Sequence, residues 1–128
     1  MTRIPRAAAL LLLMVPIGAA APAGLPKPEL RCGWIVNPTP ANWWLTDAQG
    51  QWVIGTQGGE QAEGIDNIPD LSEKNWVTTN GGYGYGCGCM RVDVDRHDQR
   101  IRRIHSVTQK RLAVCRADRA PPRPDAND

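Results

Sequence analysis

The side chains able to do chemistry are few. Four cysteines stand at Cys32, Cys87, Cys89 and Cys115, the middle two separated only by Gly88 and followed by Met90. Three sulfurs so close together, with His97 and His105 downstream, are soft ligands of the kind that hold copper(I) or zinc. Metal binding needs thiolates, however, and an even number of cysteines in a short exported chain reads first as two disulfides that consume every thiol. The histidines then read as surface or turn residues, and no metal or other cofactor is expected. Asp47, Glu60, Glu63 and Asp66 offer carboxylates for glycoside hydrolysis, but so small a core rarely builds the cleft that chemistry needs. No serine motif lies near the histidines. The glycines around the cysteines lack the lysine-plus-hydroxyl helix start of a phosphate loop. No catalytic residue is assigned, and catalysis is not expected.

Binding chemistry is better represented. Trp43 and Trp44 are adjacent, so in a strand they face opposite ways and one indole points outward beside Asn42, Gln51 or Gln57. Exposed aromatics flanked by amides suit sugar rings or the anchor of a protein partner. The competing expectation is that the outward indole is covered by the loop over residues 60–75 or by the N-terminal segment. Asn80-Gly81-Gly82, followed by Tyr83 and Tyr85, is a turn that a small inhibitor could insert into an enzyme's cleft. Trp43, Trp44, Gln57, Asn80, Tyr83 and Tyr85 are therefore the candidate ligand or partner surface, for an envelope glycan or a periplasmic protein.

The elements that must position these residues are strands. Turn signals recur every eight to twelve residues, and the runs between them are rich in Trp, Val, Ile, Thr and Tyr, which predicts an antiparallel all-β domain. Strands are expected over 33–36, 43–46, 51–56, 76–79, 83–95, 100–107 and 112–116, as a sheet, a sandwich or a partly open barrel. Residues 37–40, 47–50, 57–59, 80–82 and 95–99 are read as short connectors. Ile101, Ile104 and Val107 fall at spacing three, nearer a helical stripe than alternation, but their β-branching favours strand.

In the strand over 83–95, Tyr83, Tyr85, Cys87 and Cys89 share one face and Gly84, Gly86 and Gly88 the other. A glycine face admits a large flat group, and Trp34, Trp43, Trp44, Trp52 and Trp76 are the candidates in a chain with no phenylalanine. The apolar phase then passes to Met90, Val92 and Val94, which predicts a bulge or bend near residues 88–90. Pairing Cys87 with Cys89 would close a strained ring. Two connectivities remain, Cys32–Cys87 with Cys89–Cys115 and Cys32–Cys89 with Cys87–Cys115, and each bridge is worth roughly 3 to 4 kcal/mol by chain entropy.

The ends of the chain look different. Arg3 and Arg6 precede an apolar run over 7–21 that is too short to span a bilayer and ends in small residues, which reads as a signal peptide over 1–23 cut after Ala20, Ala21 or Ala23. Residues 24–31 read as an extended lead-in, 32–118 as one β domain, and 119–128, with three prolines, as a mobile tail. Losing the leader leaves 13 bases against 13 acids, so bulk charge supports neither nucleic-acid binding nor attachment to a membrane surface. From Cys32 to Cys89 there are six acids and one base, and from Met90 onward ten bases and six acids. The halves can attract each other. Alternatively Arg91, Arg100, Arg102, Arg103, Lys110 and Arg111 form a basic face for an anionic partner, although no aromatics are interleaved there for nucleic acid.

CGW at 32–34, NPTPANWWL at 37–45, DAQGQWVI at 47–54, QGG at 57–59, WVTTNGGYGYGCGC at 76–89 and CRAD at 115–118 follow one another in an order that resembles an uncharacterised family of short exported proteobacterial proteins, domain-of-unknown-function family 4087. The resemblance implies export to the periplasm or beyond and a single domain with paired cysteines. It implies no activity and no catalytic residue. Intact mass after thiol alkylation tests the disulfide reading: the native chain should take up no alkyl group before reduction and four after it, and two or more native additions would return Cys87-Gly88-Cys89-Met90 to the ligand chemistry above.

Overall fold

The computed structural model describes residues 16–19 and 27–125, so the leader, apart from residues 16–19, and the first residues of the lead-in lie outside the described residues. Turn residues cut the rest into strands. Pro40 and Ala41 join β1 (Glu29–Thr39) to β2 (Asn42–Asp47), and Ala48 and Gln49 join β2 to β3 (Gly50–Gly55). Two 3-10 turns, Ile65–Asn67 and Leu71–Glu73, occupy the long loop before β4 (Trp76–Asn80). Gly81 and Gly82 then lead into β5 (Tyr83–Asp95), and four residues separate it from β6 (Arg100–Lys110). Gly81 sits at φ 59°, a conformation that costs glycine nothing.

These six strands form one sheet that curls on itself. One edge of β5 pairs with β1 from Asn37–Gly84 to Glu29–Val92. Its other edge pairs first with β4 and then, from Cys87 onward, with β6. β1 continues to β2 and β2 to β3. The strip closes where β3 meets β6 through the single parallel pair Val53–Arg100, and residues 61–63 stitch the seam. Ala62 N–H donates to Ile54 O, Glu63 N–H to Arg102 O, and Ile104 N–H to Glu63 O. The architecture is all-β and antiparallel apart from this seam, a partly open curl.

Each face of the sheet has its own core. The inner face buries Ile35, Leu45, Trp52, Ile54, Met90, Val92, Ile101 and Ile104, topped by Ala62 and Leu71 from the long loop. The outer face buries Trp34, Val36, Tyr85, Cys87 and Cys115. The inner face of β5 begins with the three glycines. A Cβ at Gly84 would stand 1.8 Å from Val77 O, one at Gly86 3.1 Å from Trp76, and one at Gly88 2.7 Å from Ile35. Trp76 is thus the indole that takes the glycine face.

Several local expectations change. β5 has no break at residues 88–90, because even-numbered residues face inward along its whole length. Neighbouring side chains fill the glycine part, and Met90, Val92 and Val94 fill the rest. The irregularities lie on β6, where the register against β5 steps at Arg102 and at His105. Each adds one residue to the strand. Two such bulges keep Ile101, Ile104 and Val107 on one face at spacing three, so a helical spacing is compatible with a strand. Residues 112–116 are not a strand but the start of helix α1 (Leu112–Ala117). Leu, Ala and Arg favour helix, and half-buried Leu112 and buried Cys115 stand one helical turn apart. β1 begins inside the expected lead-in and continues through the expected connector to Thr39, with Pro38 at a register shift against β2.

The bridges are Cys32–Cys89, between directly paired residues of β1 and β5, and Cys87–Cys115, which fastens α1 to the outer face. Arg31 is a buried charge. Its guanidinium carbon lies 3.6 Å over the Trp52 ring, and it donates to Asp47 at 2.6 Å, Gln49 at 2.9 Å and Glu29 at 2.9 Å. Trp52 Nε1 donates to the other Asp47 oxygen at 3.0 Å. The oppositely charged halves do attract: Arg102 binds Glu60, and Arg103 binds Glu63. Gly84→Ala should lower stability by about 1–3 kcal/mol through overpacking, whereas Gly82→Ala, at a site with no atom within 4 Å, should stay within about 0.5 kcal/mol of wild type in denaturant unfolding.

Candidate functional site

Because Trp43 and Trp44 alternate, they border recesses on opposite faces of the sheet. Trp43 and Trp76 line the first, of about 460 Å³, with Asn37, Tyr83, Gly82 and the loop residues Ile68–Ser72. Both indoles are half-buried. Trp76 Nε1 is buried and has no hydrogen-bond partner. Asn37 is buried with its amide N–H groups donating to Thr39 O and Asn42 O. Asp70 accepts from the Ser72 hydroxyl at 2.6 Å and the Ser72 N–H at 3.0 Å. These bonds, the hydroxyl first, hold its carboxyl below the ordinary 3.8, so the recess carries a negative charge. Gln109 fixes the loop by donating to Leu71 O and Lys74 O.

Trp44 and Tyr85 line the second recess, of about 390 Å³, with Val36, Pro38, Thr46 and residues 122–125. The long loop does not line this recess, and the described residues nearest Trp44 from outside the sheet are those of the tail. Part of the tail, read as mobile from its composition, lies here: Pro121 is buried, and the Tyr85 hydroxyl donates to Asp125 at 2.7 Å. Burial, then the Asp125 carboxylate, push the Tyr85 hydroxyl from 10.0 up to about 12. Trp34 meets Tyr85 edge to face, with ring centroids 5.3 Å apart.

The six residues singled out in the sequence do not form one surface. Trp43 and Tyr83 belong to the first recess, Trp44 and Tyr85 to the second, and Gln57 and Asn80 are exposed and line neither. Trp76, Asn37 and Asp70 were not anticipated there, although the parity of the glycines pointed to an indole above them. The tail contact had no signal beyond its prolines.

The other candidate sets are dispersed. Cys87 and Cys89 are bridged on the outer face, Met90 is buried on the inner one, His97 is exposed beside Asp98, and His105 Nε2 lies 3.0 Å from Asp93. Asp47, Glu60 and Glu63 are each taken by an arginine, and Asp66 stands in a 3-10 turn. Arg102 and Arg103 of the basic face border a charged cleft of about 580 Å³ with His105, but both are already paired. Among the described residues no helix is long and apolar enough to cross a membrane.

The family model described as protein of unknown function (DUF4087) matches residues 26–121. No curated protein and no solved structure matches the chain.

The Tyr85–Asp125 contact has a spectroscopic consequence. A hydroxyl whose folded pKa is raised stabilises the fold fully below 10.0, and that contribution is lost as pH rises towards about 12. In tyrosinate absorbance titration, Asp125→Asn should bring Tyr85 part of the way back, with burial holding the remainder. An unchanged midpoint would show that the carboxylate does not act on Tyr85 in solution.

Proposed function

The chain belongs to the DUF4087 family, which carries no assigned activity, and on the site's own geometry we propose an exported, non-enzymatic binding protein whose ligand is a cell-envelope glycan held between Trp43 and Trp76. The observation that carries this reading is the pairing of two half-buried indoles around one recess. Indole faces stack on the apolar faces of sugar rings. Asp70 supplies an acceptor for sugar hydroxyls. The loop is held by Gln109, so the recess is preorganised.

Export is supported by the leader-like first 23 residues and by two disulfides, which persist in oxidising compartments. A binding role without catalysis is supported by the pairing of Asp47, Glu60 and Glu63 with arginines, which engages these carboxylates in ion pairs. A second reading, an inhibitor of an envelope enzyme, is favoured by the β4–β5 hairpin tip, where residues 78–82 are all exposed.

Titration with cell-wall fragments and neutral oligosaccharides should quench tryptophan fluorescence, and Trp43→Ala should weaken binding by about tenfold or more. Absence of quenching across the panel, together with an envelope enzyme co-purifying in equal amount, would replace the glycan reading with the inhibitor one.

A further inference from the structure

The second recess has an occupant in the structure, and the occupant's pattern says what the groove recognises. Along the tail, Pro121 is buried, Pro122 and Arg123 are exposed, and Pro124 is half-buried. The two prolines that face the sheet thus stand three apart, with a bend at Pro121 and a turn at Pro124 and Asp125. Pro121 lies by Trp34 and Cys115. Pro124 and Asp125 lie by Trp44 and Tyr85, with the Asp125 carboxylate on the Tyr85 hydroxyl. Aromatic walls and an i, i+3 proline pair are the elements by which grooves take P-x-x-P segments. The edge-to-face contact of Trp34 with Tyr85, and the Cys87–Cys115 bridge behind them, keep the wall rigid.

The tail fits this groove but does not fill it. Its side-chain hydrogen bond to the sheet is the one at Asp125, and about 390 Å³ remains between it and the wall. We propose that the Trp34–Trp44–Tyr85 groove is a recognition site for a proline-containing segment of another polypeptide with the pattern P-x-x-P followed by an acidic residue, and that the chain's own Pro121–Asp125 segment is its resident competitor. A tethered competitor acts at an effective concentration of order millimolar for a short flexible link. It therefore sets the threshold that a partner must exceed. The site lies on the opposite face from the Trp43–Trp76 recess and stands whether or not that recess binds a glycan.

The test uses the whole exported chain and, as probe, a synthetic peptide of residues 117–128. Pro121→Ala with Pro124→Ala disables the resident segment without touching the sheet. This double variant should bind the probe at least about tenfold more tightly than wild type. Tyr85→Phe, which keeps the ring and removes the hydroxyl, should weaken that binding, and Trp44→Ala, at a half-buried position, should weaken it further. A probe with alanine for every proline should not bind. The proposal is overturned if the double variant fails to bind the probe, if the proline-free probe binds equally well, or if Tyr85→Phe leaves affinity unchanged while near-ultraviolet dichroism shows a native fold. Reversible dimerisation of wild type by tail exchange, with no binding of free probe, would also overturn it by making a second copy the occupant.

Discussion

A strand with neighbours along both edges and packing on both faces has no freedom left in its backbone, and β5 is such a strand. Its N–H and C=O groups are shared between β1 on one side and β4 then β6 on the other. An unpaired backbone group in that position would be buried without water. The glycines at its start let Trp76 and Ile35 come closer than any Cβ would permit. Both disulfides start from its outer face, so it is also where the covalent framework converges. The two candidate sites inherit this rigidity, because Tyr85 leaves β5 on its outer face while the glycines of the other face support Trp76.

Arg31 is the second constraint. A guanidinium at 7% exposure is costly unless it is fully bonded, and here Asp47, Gln49, Glu29 and the Trp52 face surround it. The set joins the start of β1 to the β2–β3 hairpin, beyond the reach of either disulfide. Asp47 also orients Trp52, the largest inner-core side chain apart from those bordering the recess. Electrostatics and packing thus specify the same arrangement of the hairpin, which is the consistency expected of a sequence with one native state.

Strand positions, glycine parity and the attraction between acidic and basic halves were legible because each rests on local periodicity or simple charge counting. The bulges of β6 were not, because an inserted residue imitates helical spacing, and only the partner strand distinguishes the two. The helix at residues 112–117 was misread because its six residues are too few to display a period. Its strongest cue, Leu112 and Cys115 one turn apart, becomes informative once Cys87 is known to be the partner. Trp43, Trp44, Tyr83 and Tyr85 were identified individually from the sequence, whereas their division between two faces depends on the curl of the sheet. The Arg31 cluster brings Arg31 onto Trp52, 21 positions away, through a crossing of three strands that no local signal encodes.

The single glycine between Cys87 and Cys89 has a consequence for how the chain is oxidised. Both thiols point to the same side of β5, so a slip of β1 by two residues would present Cys87 to Cys32 while every side chain kept its face. Charge and hydrophobicity would scarcely oppose such a slip. Shape opposes it, since the slip would carry Ile35 from Gly88 to Gly86, whose face Trp76 already occupies. The Cys32–Cys89 bond thus joins the strands in the register that places Ile35 over Gly88 and Trp76 over Gly86.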